Sequence, residues 1–266
     1  MSKLETAFRD LAGMDELAKG DSAVHRLHPL SKLLITIVYI VAVLSFPNTE
    51  VSGLFAMILF PVCFYALSGI SMSTCFYRLR YVLPLVMAVG IWNPILDREP
   101  VLSVGALQVS AGMLSCIVLL LKGVFALTAS FLFVAATGIE HICYALRLLR
   151  VPKIMVTMLL ITYRYISLLL EETDTMRTAY TLQAPGQKGV HISAWGSFLG
   201  SLLLRSMDRA SELYQSMQLR GFEGEFYYVG KQKAKMRDIL CPAIVCGLIL
   251  VFRLVPVAKL LGGLLV

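Results

Sequence analysis

Between Gly112 and Ala136 the chain runs for 25 residues with a single charge, Lys122. As a helix rising about 1.5 Å per residue, this run exceeds the roughly 30 Å hydrocarbon core of a bilayer. Lipid offers the backbone no hydrogen-bond partner, so a segment of this kind crosses as a helix. Four further runs repeat the pattern. Leu33–Phe46 stops at Pro47-Asn48 and reaches spanning length if Leu30 is added and Lys32 snorkels. Val51–Ile70 follows. Tyr81–Trp92 is short and holds Pro84, so it is tilted, broken or extended backwards through Phe76 and Tyr77. The last runs from Ile239 to Phe252, with an apolar tail to Val266. The expectation is an all-α, polytopic helical membrane protein with about five transmembrane helices. The number becomes six if the tail folds separately or if Ile154–Leu170 inserts. Composition agrees: 58% of residues are apolar and 15% charged, against about 25% charged in soluble domains. The mean hydropathy is +0.75. These values exclude a disordered chain and argue against a soluble enzyme.

The net charge of +7 reads as topology before it reads as nucleic-acid affinity. Lys and Arg number five in the lead-in to Lys32, none in Pro47–Ser52, and two, Arg78 and Arg80, in the following loop. Arg98 stands alone in the next loop, thirteen fall between 138 and 237, and Arg253 and Lys259 come last. Alternate loops are therefore rich and poor in cations, which predicts a multi-pass protein of the cell membrane with a cytoplasmic N-terminus. The division that follows is a cytoplasmic lead-in at 1–32, a membrane domain of four spans at 33–137, a cytoplasmic segment at 138–237 and a C-terminal span at 238–266. The lead-in mixes both charge signs without an apolar stretch, so it does not read as a signal peptide. A short helix over Leu4–Leu17 fits it.

The 138–237 segment divides into three helices. Ile139–Leu149 is amphipathic and breaks at Pro152. The second runs from Lys153 to Gln183 and stops at Pro185-Gly186. It is apolar up to Leu170 apart from Arg164, then polar. The third runs from Ser193 to Arg220, with Gly221 placed as a C-cap glycine. On the third helix Arg205, Arg209, Ser216 and Arg220 fall within ~60° of one another. Leu203, Met207, Ala210, Tyr214 and Met217 lie opposite, an apolar stripe on which the second and third helices would pack as one lever. The arginine face fits either a solvated basic surface near anionic lipid or a docking surface for an acidic partner.

Other chemistry finds little support. The cysteines Cys63, Cys75, Cys116, Cys143, Cys241 and Cys246 form no CxxC pair, and most lie in apolar runs. His25 and His28 make an HxxH pair that reads as a turn rather than a metal site. The sequence has no GxxxxGK[ST], HExxH or GxSxG motif. No catalytic residue, metal site, cofactor or nucleic-acid partner is expected.

Several stretches together resemble the transmembrane T component of energy-coupling factor transporters, the CbiQ/EcfT family, and the opening His25–Pro29 resembles its cobalt-type members somewhat more than its vitamin-type ones. The resemblance begins at Lys19–Lys32 and continues through Asn93-Pro-Ile-Leu-Asp97. It takes in Ala145–Pro152, Thr162–Tyr165 and Leu168–Glu172. Its most specific part is Arg209-Ala210, Tyr214 and Met217–Phe222. It implies a non-enzymatic membrane subunit with long cytoplasmic coupling helices, which clasps a small substrate-binding membrane protein, the S component. It also implies two cytoplasmic ABC ATPase subunits, each taking one coupling-helix end. The family's short motif with a central arginine is matched by Leu219-Arg220-Gly221. At Leu182-Gln183-Ala184 glutamine stands in the arginine's place. The resemblance implies that these six residues dock the ATPases. The transported substrate, a metal ion such as cobalt or nickel or a vitamin, is expected to be chosen by the S component.

Supporting roles are expected for Arg164, Glu171, Glu172, Arg205 and Arg209. Arg164, between Tyr163 and Tyr165, anchors its helix with cation–π help. Glu171 and Glu172 pair with Arg205 or Arg209 across the coupling helices. Met155, Met158, Met207 and Met217 suit a surface that repacks as a partner tilts. Lys122 is either functional, or outside the span, or held by a carboxylate or backbone carbonyl. A stand-alone secondary transporter or channel using Lys122 and Asn93 is the competing reading, without the inverted repeat such transporters usually carry.

Overall fold

The structure is a computed structural model that describes residues 13–14, 16–22, 24–47, 51–70, 72–92, 100–104, 107–183, 190–224 and 236–254. Its helices are α1 Pro29–Leu44, α2 Val51–Met57, α3 Leu59–Ser68, α4 Met72–Gly90, α5 Ala111–Thr137, α6 Ile139–Leu148, α7 Lys153–Gln183, α8 Trp195–Leu219 and α9 Met236–Leu254. A short antiparallel hairpin, β1 Pro100–Val104 and β2 Leu107–Ser110, interrupts the all-helical pattern. The chain divides into two compact units, Glu16–Gly138 with Gln232–Val266, and Met1–Asp15 with Ile139–Lys231. All five predicted spans fall in the first, and the three helices of the 138–237 segment fall in the second. By length and composition, Gly112–Thr137 and Lys153–Gln183 qualify as spanning helices among the described residues. Pro29–Leu44 and Gly53–Ser68 are shorter apolar helices.

Helix α1 packs against α5 and α9 in the first unit. Pro29 opens it, and the His28 ring accepts a hydrogen bond from the Leu30 amide as a side-chain cap. Its buried positions include Lys32, Ile35, Thr36, Tyr39 and Val43, which share one face. Tyr39 and Val43 join Leu54, Met57, Val118, Phe125 and Ile249 in one apolar cluster. A second cluster gathers Val24, Tyr65, Ile70, Cys75, Leu79, Leu132 and Ala135.

Two prolines shape the helices around α1, and α1 supplies what each removes. Pro61 has no N–H for the Met57 carbonyl four residues before it. The predicted run Val51–Ile70 accordingly breaks at Ile58 into α2 and α3. The hydroxyl of Tyr39, fully buried, donates to the Met57 carbonyl at 3.0 Å. Pro242 lies inside α9 and likewise frees the Asp238 carbonyl. The Ser31 hydroxyl donates to it at 2.6 Å. In its buried setting the Met57 carbonyl would otherwise be unsatisfied.

Two lysines lock α1 against α5. Lys32 was expected to snorkel towards water, but it turns inward and is 3% exposed. Its ammonium donates to the carbonyls of Ala136 at 2.9 Å and His25 at 3.2 Å. Lys122 is 5% exposed and donates to the Phe46 carbonyl at 2.6 Å. Each ammonium sits at the C-terminal end of the partner helix, where a cation meets the negative end of the helix dipole. Arg253 joins Lys122 at the α1 end. It donates to the Ser45 carbonyl at 2.8 Å and lies 4.5 Å over the Phe46 ring. The same ring lies against Gly53, where a Cβ would stand 2.5 Å from it.

Helix α4 extends backwards to Met72, which gives the short third run 19 residues with Pro84 inside. The lead-in helix expected over Leu4–Leu17 lies largely outside the described residues, as does Asn93–Asp97.

Candidate functional site

The second unit is built on α7 and α8. Helix α7 has the expected bounds, Lys153–Gln183. The third predicted helix starts as a 3₁₀ turn, Ile192–Ala194, and becomes α8 at Trp195. Arg205 of α8 is paired with Glu172 of α7. Thr157, near the start of α7, donates to the Gly224 carbonyl beyond the end of α8 at 3.4 Å. These two contacts make the helices antiparallel, so Gln183 and Arg220 lie towards opposite ends of the pair. From the helical rise they are on the order of 35 Å apart, and one groove cannot hold both.

The Arg220 end is tightly specified. Arg220 is the C-cap residue of α8, and Gly221 follows with φ +73°. The Phe222 amide donates to Met217 at 3.0 Å and the Gly221 amide to Gln218 at 2.9 Å. This double return is the Schellman ending, which needs a left-handed residue at the position of Gly221. Leu219 is 90% exposed, and the Arg220 side chain is exposed with no ion pair or hydrogen bond among the described residues. At the other end, Leu182 is 77% exposed and Gln183 is the exposed last residue of α7. Ala184 lies outside the described residues. The helix endings thus present two short, protruding tips. One carries a guanidinium with five donors and the other an uncharged amide.

The supporting residues divide. Glu172 and Arg205 pair, at side-chain exposures of 25% and 59%, so screening limits the pair to about 0.2–1 kcal/mol. Glu171 and Arg209 are exposed and take no part in it. One residue along a helix turns the side chain by about 100°, which decides between the two glutamates. Arg164 is exposed and makes no ring contact among the described residues. Its neighbours Tyr163 and Tyr165 leave the helix about 100° to either side of it and cannot enclose it.

The predicted apolar stripe of α8 is also displaced. Leu203 is 61% exposed, Met207 59% and Tyr214 59%. The half-buried positions are Phe198, Ser201, Leu202, Ser206, Leu213 and Met217, so only Met217 belongs to the predicted set. Leu203, Met207 and Tyr214 do not pack the two helices together as expected. They form an outward apolar face.

Among the described residues, no group of three or more His, Cys, Asp or Glu side chains is placed to hold a metal. His25 is held by the Ser22 hydroxyl at 2.6 Å and the Leu17 carbonyl at 3.0 Å. His28 is occupied in capping α1. Burial pushes the Cys143 thiol up to about 11, away from the reactive thiolate.

Comparison with known proteins gives this arrangement a context. The family described as CbiQ, cobalt transport protein, matches residues 20–228. The energy-coupling factor transporter transmembrane protein EcfT of Thermosediminibacter oceani is 26% identical, over 83% of this chain and 86% of its own. The protein of the same name from Bacillus selenitireducens is 27% identical, over 92% of this chain and 96% of its own. The nickel permease LarQ of Lactiplantibacillus plantarum is 26% identical over 44% of this chain and 43% of its own.

Proposed function

The chain belongs to the CbiQ family of cobalt transport proteins, and from that membership we propose that it is the transmembrane coupling subunit of an energy-coupling factor importer. In this reading the 138–237 segment is cytoplasmic and the N-terminus lies on the same side. The subunit hydrolyses nothing itself. It relays the motion of two cytoplasmic ABC ATPases to a small S component, which binds the metal ion, such as cobalt or nickel, or the vitamin. The observation that carries this is the antiparallel α7–α8 pair with exposed tips at Gln183 and Arg220 on the order of 35 Å apart. Two separated tips suit two ATPase subunits, and a stiff helix pair suits transmission of force. Leu182, Gln183 and Ala184 would meet one ATPase, and Leu219, Arg220 and Gly221 the other. A conduit through Lys122 finds less support, because that ammonium is buried against the Phe46 carbonyl.

The test uses the difference between the tips. Arg220→Ala removes the charge and leaves an acidic partner group desolvated, which costs a few kcal/mol. Gln183→Ala removes an uncharged contact and should be milder. Retention of the ATPases in a detergent pull-down, at several salt concentrations and alongside substrate uptake, separates them. Equal losses for the two variants would sink the asymmetric scheme. No loss for either would sink the docking assignment.

A further inference from the structure

The stretch from His141 to Leu170 contains no Asp or Glu, yet it holds Arg147, Arg150, Lys153 and Arg164. The structure gathers the first three at one turn, between the end of α6 and the start of α7. Around them stand large apolar side chains in the open. Leu148 is 46% exposed, Leu149 45%, Ile154 63%, Met155 61% and Met158 64%. The turn closes with the same double hydrogen-bond return as the end of α8. The Val151 amide donates to Leu146 at 3.3 Å and the Arg150 amide to Arg147 at 3.1 Å. Here the left-handed position, φ +64°, is filled by Arg150 instead of glycine. It is the only non-glycine residue with positive φ among those described. Its side chain is exposed and makes no hydrogen bond or ion pair among the described residues.

A turn whose own chain carries exposed hydrophobes and cations but no carboxylate suits neither bulk water nor an acidic protein groove. Water accommodates poorly five large exposed hydrophobes within eleven residues of chain, and a groove built for cations does not accept them either. The bilayer boundary takes both, because apolar side chains enter the acyl region while guanidinium and ammonium groups stay at the phosphates. We propose that the turn 146–159 binds the headgroups of anionic phospholipids, with Arg150 as its principal cation and Leu148, Leu149, Ile154 and Met155 as its apolar anchors. The occupant is a lipid surface and not a folded partner. The proposal requires only that this turn reach the membrane surface, and it begins nine residues after the last residue of α5. It does not depend on ATPase docking at Gln183 or Arg220.

The experiment uses the full chain without partners, with Leu149→Trp in a Trp92→Phe, Trp195→Phe background. It is reconstituted in phosphatidylcholine liposomes that contain either brominated phosphatidylglycerol or brominated phosphatidylcholine at equal mole fraction. The anionic bromolipid is expected to quench the tryptophan more strongly. Arg150→Gln should lower the apparent preference about fivefold, and Arg150→Lys should retain it. Raising the salt from about 0.05 to about 0.5 M should also reduce it. Arg150→Gly serves as a second charge-free variant, because glycine fits the left-handed backbone and guards against misfolding. Equal quenching by the two lipids overturns the proposal, as does a preference that survives removal of the charge. Absence of quenching by either lipid places the turn against protein or water and overturns it as well.

Discussion

Two helix endings in this protein have the same hydrogen-bond geometry with different residues at the left-handed position, Gly221 and Arg150. A side chain in that conformation costs about 1 kcal/mol relative to glycine. At Gly221 no atom lies within 4 Å of where a Cβ would stand, so Gly221→Ala has no steric component and the cost is that of the backbone alone. An opening free energy lower by about 1 kcal/mol means an opened state populated about fivefold more. The amides of Gly221 and Phe222, which close the ending, should therefore exchange with deuterium about fivefold faster. Gly221→Val should do more, since a branched Cβ tolerates positive φ less well. Arg150→Gly should act in the opposite direction, slowing exchange at Arg150 and Val151 by a similar factor. Hydrogen exchange read by mass spectrometry on the detergent-solubilised chain measures all three. Unchanged exchange in Gly221→Ala, or shifts of the same sign in Gly221→Ala and Arg150→Gly, would refute the argument.

Tyr39→Phe removes the donor that satisfies Met57, and Ser31→Ala removes the one that satisfies Asp238. Each should lower stability by about 1–3 kcal/mol, read as reduced thermal stability in detergent. Lys122→Met should reduce stability by a similar amount through the lost Phe46 contact, while coupled uptake by the correctly folded fraction is retained. Loss of uptake at unchanged stability would instead revive the conduit reading. His25 gives a pH dependence: burial, aided by the charge of Lys32, lowers its pKa below the usual 6.5, although the Leu17 carbonyl opposes the shift. The unfolded chain then binds the proton more readily, so this contribution is complete above pH 6.5 and is lost as pH falls through the folded-state value. Melting temperatures across that window should decline towards acid, and His25→Gln should flatten that part of the profile.

The readable parts of the fold were those fixed locally. Helix α7 begins after Pro152 and ends before Pro185-Gly186, and its bounds follow from those breakers and its periodicity. Helix α5 follows from the length of one apolar run. The end of α8 was legible because only glycine relieves the strain of a left-handed C-terminal residue. What stayed hidden depended on partners distant in sequence. The break at Ile58 needs Pro61, but its stability needs Tyr39. The half-buried face of α8 is set by how that helix meets α7, and periodicity alone moved it onto Leu203, Met207 and Tyr214. The choice of Glu172 over Glu171 is a single step around a helix. The hairpin had a weak signal in the branched residues Val101, Val104 and Val109, which the reading of that stretch as a loop passed over. The departure of Arg150 from glycine leaves no periodic trace and emerges only from its φ.

The paired lysines bear on how the first unit holds its helices in register within a bilayer. Phe46 lies fourteen positions after Lys32, and Ala136 fourteen positions after Lys122. The two clamps are therefore matched in register, about 21 Å apart along the antiparallel helices. That spacing is shorter than the roughly 30 Å hydrocarbon thickness. If the pair is centred in the bilayer, neither ammonium can count on bulk water, which is consistent with both being buried on helix-end carbonyls. A slip of α1 along α5 by one turn would break both clamps together and leave two cations without those acceptors in a dry interior. Apolar packing between the clamps resists sliding only weakly, since lipid is as apolar as the leucines it would replace. The lysines supply the register that packing cannot, and Tyr39 and Ser31 extend it to the two proline-containing neighbours of α1. On this reasoning Lys122 belongs to the frame that holds α1 and α5 in register.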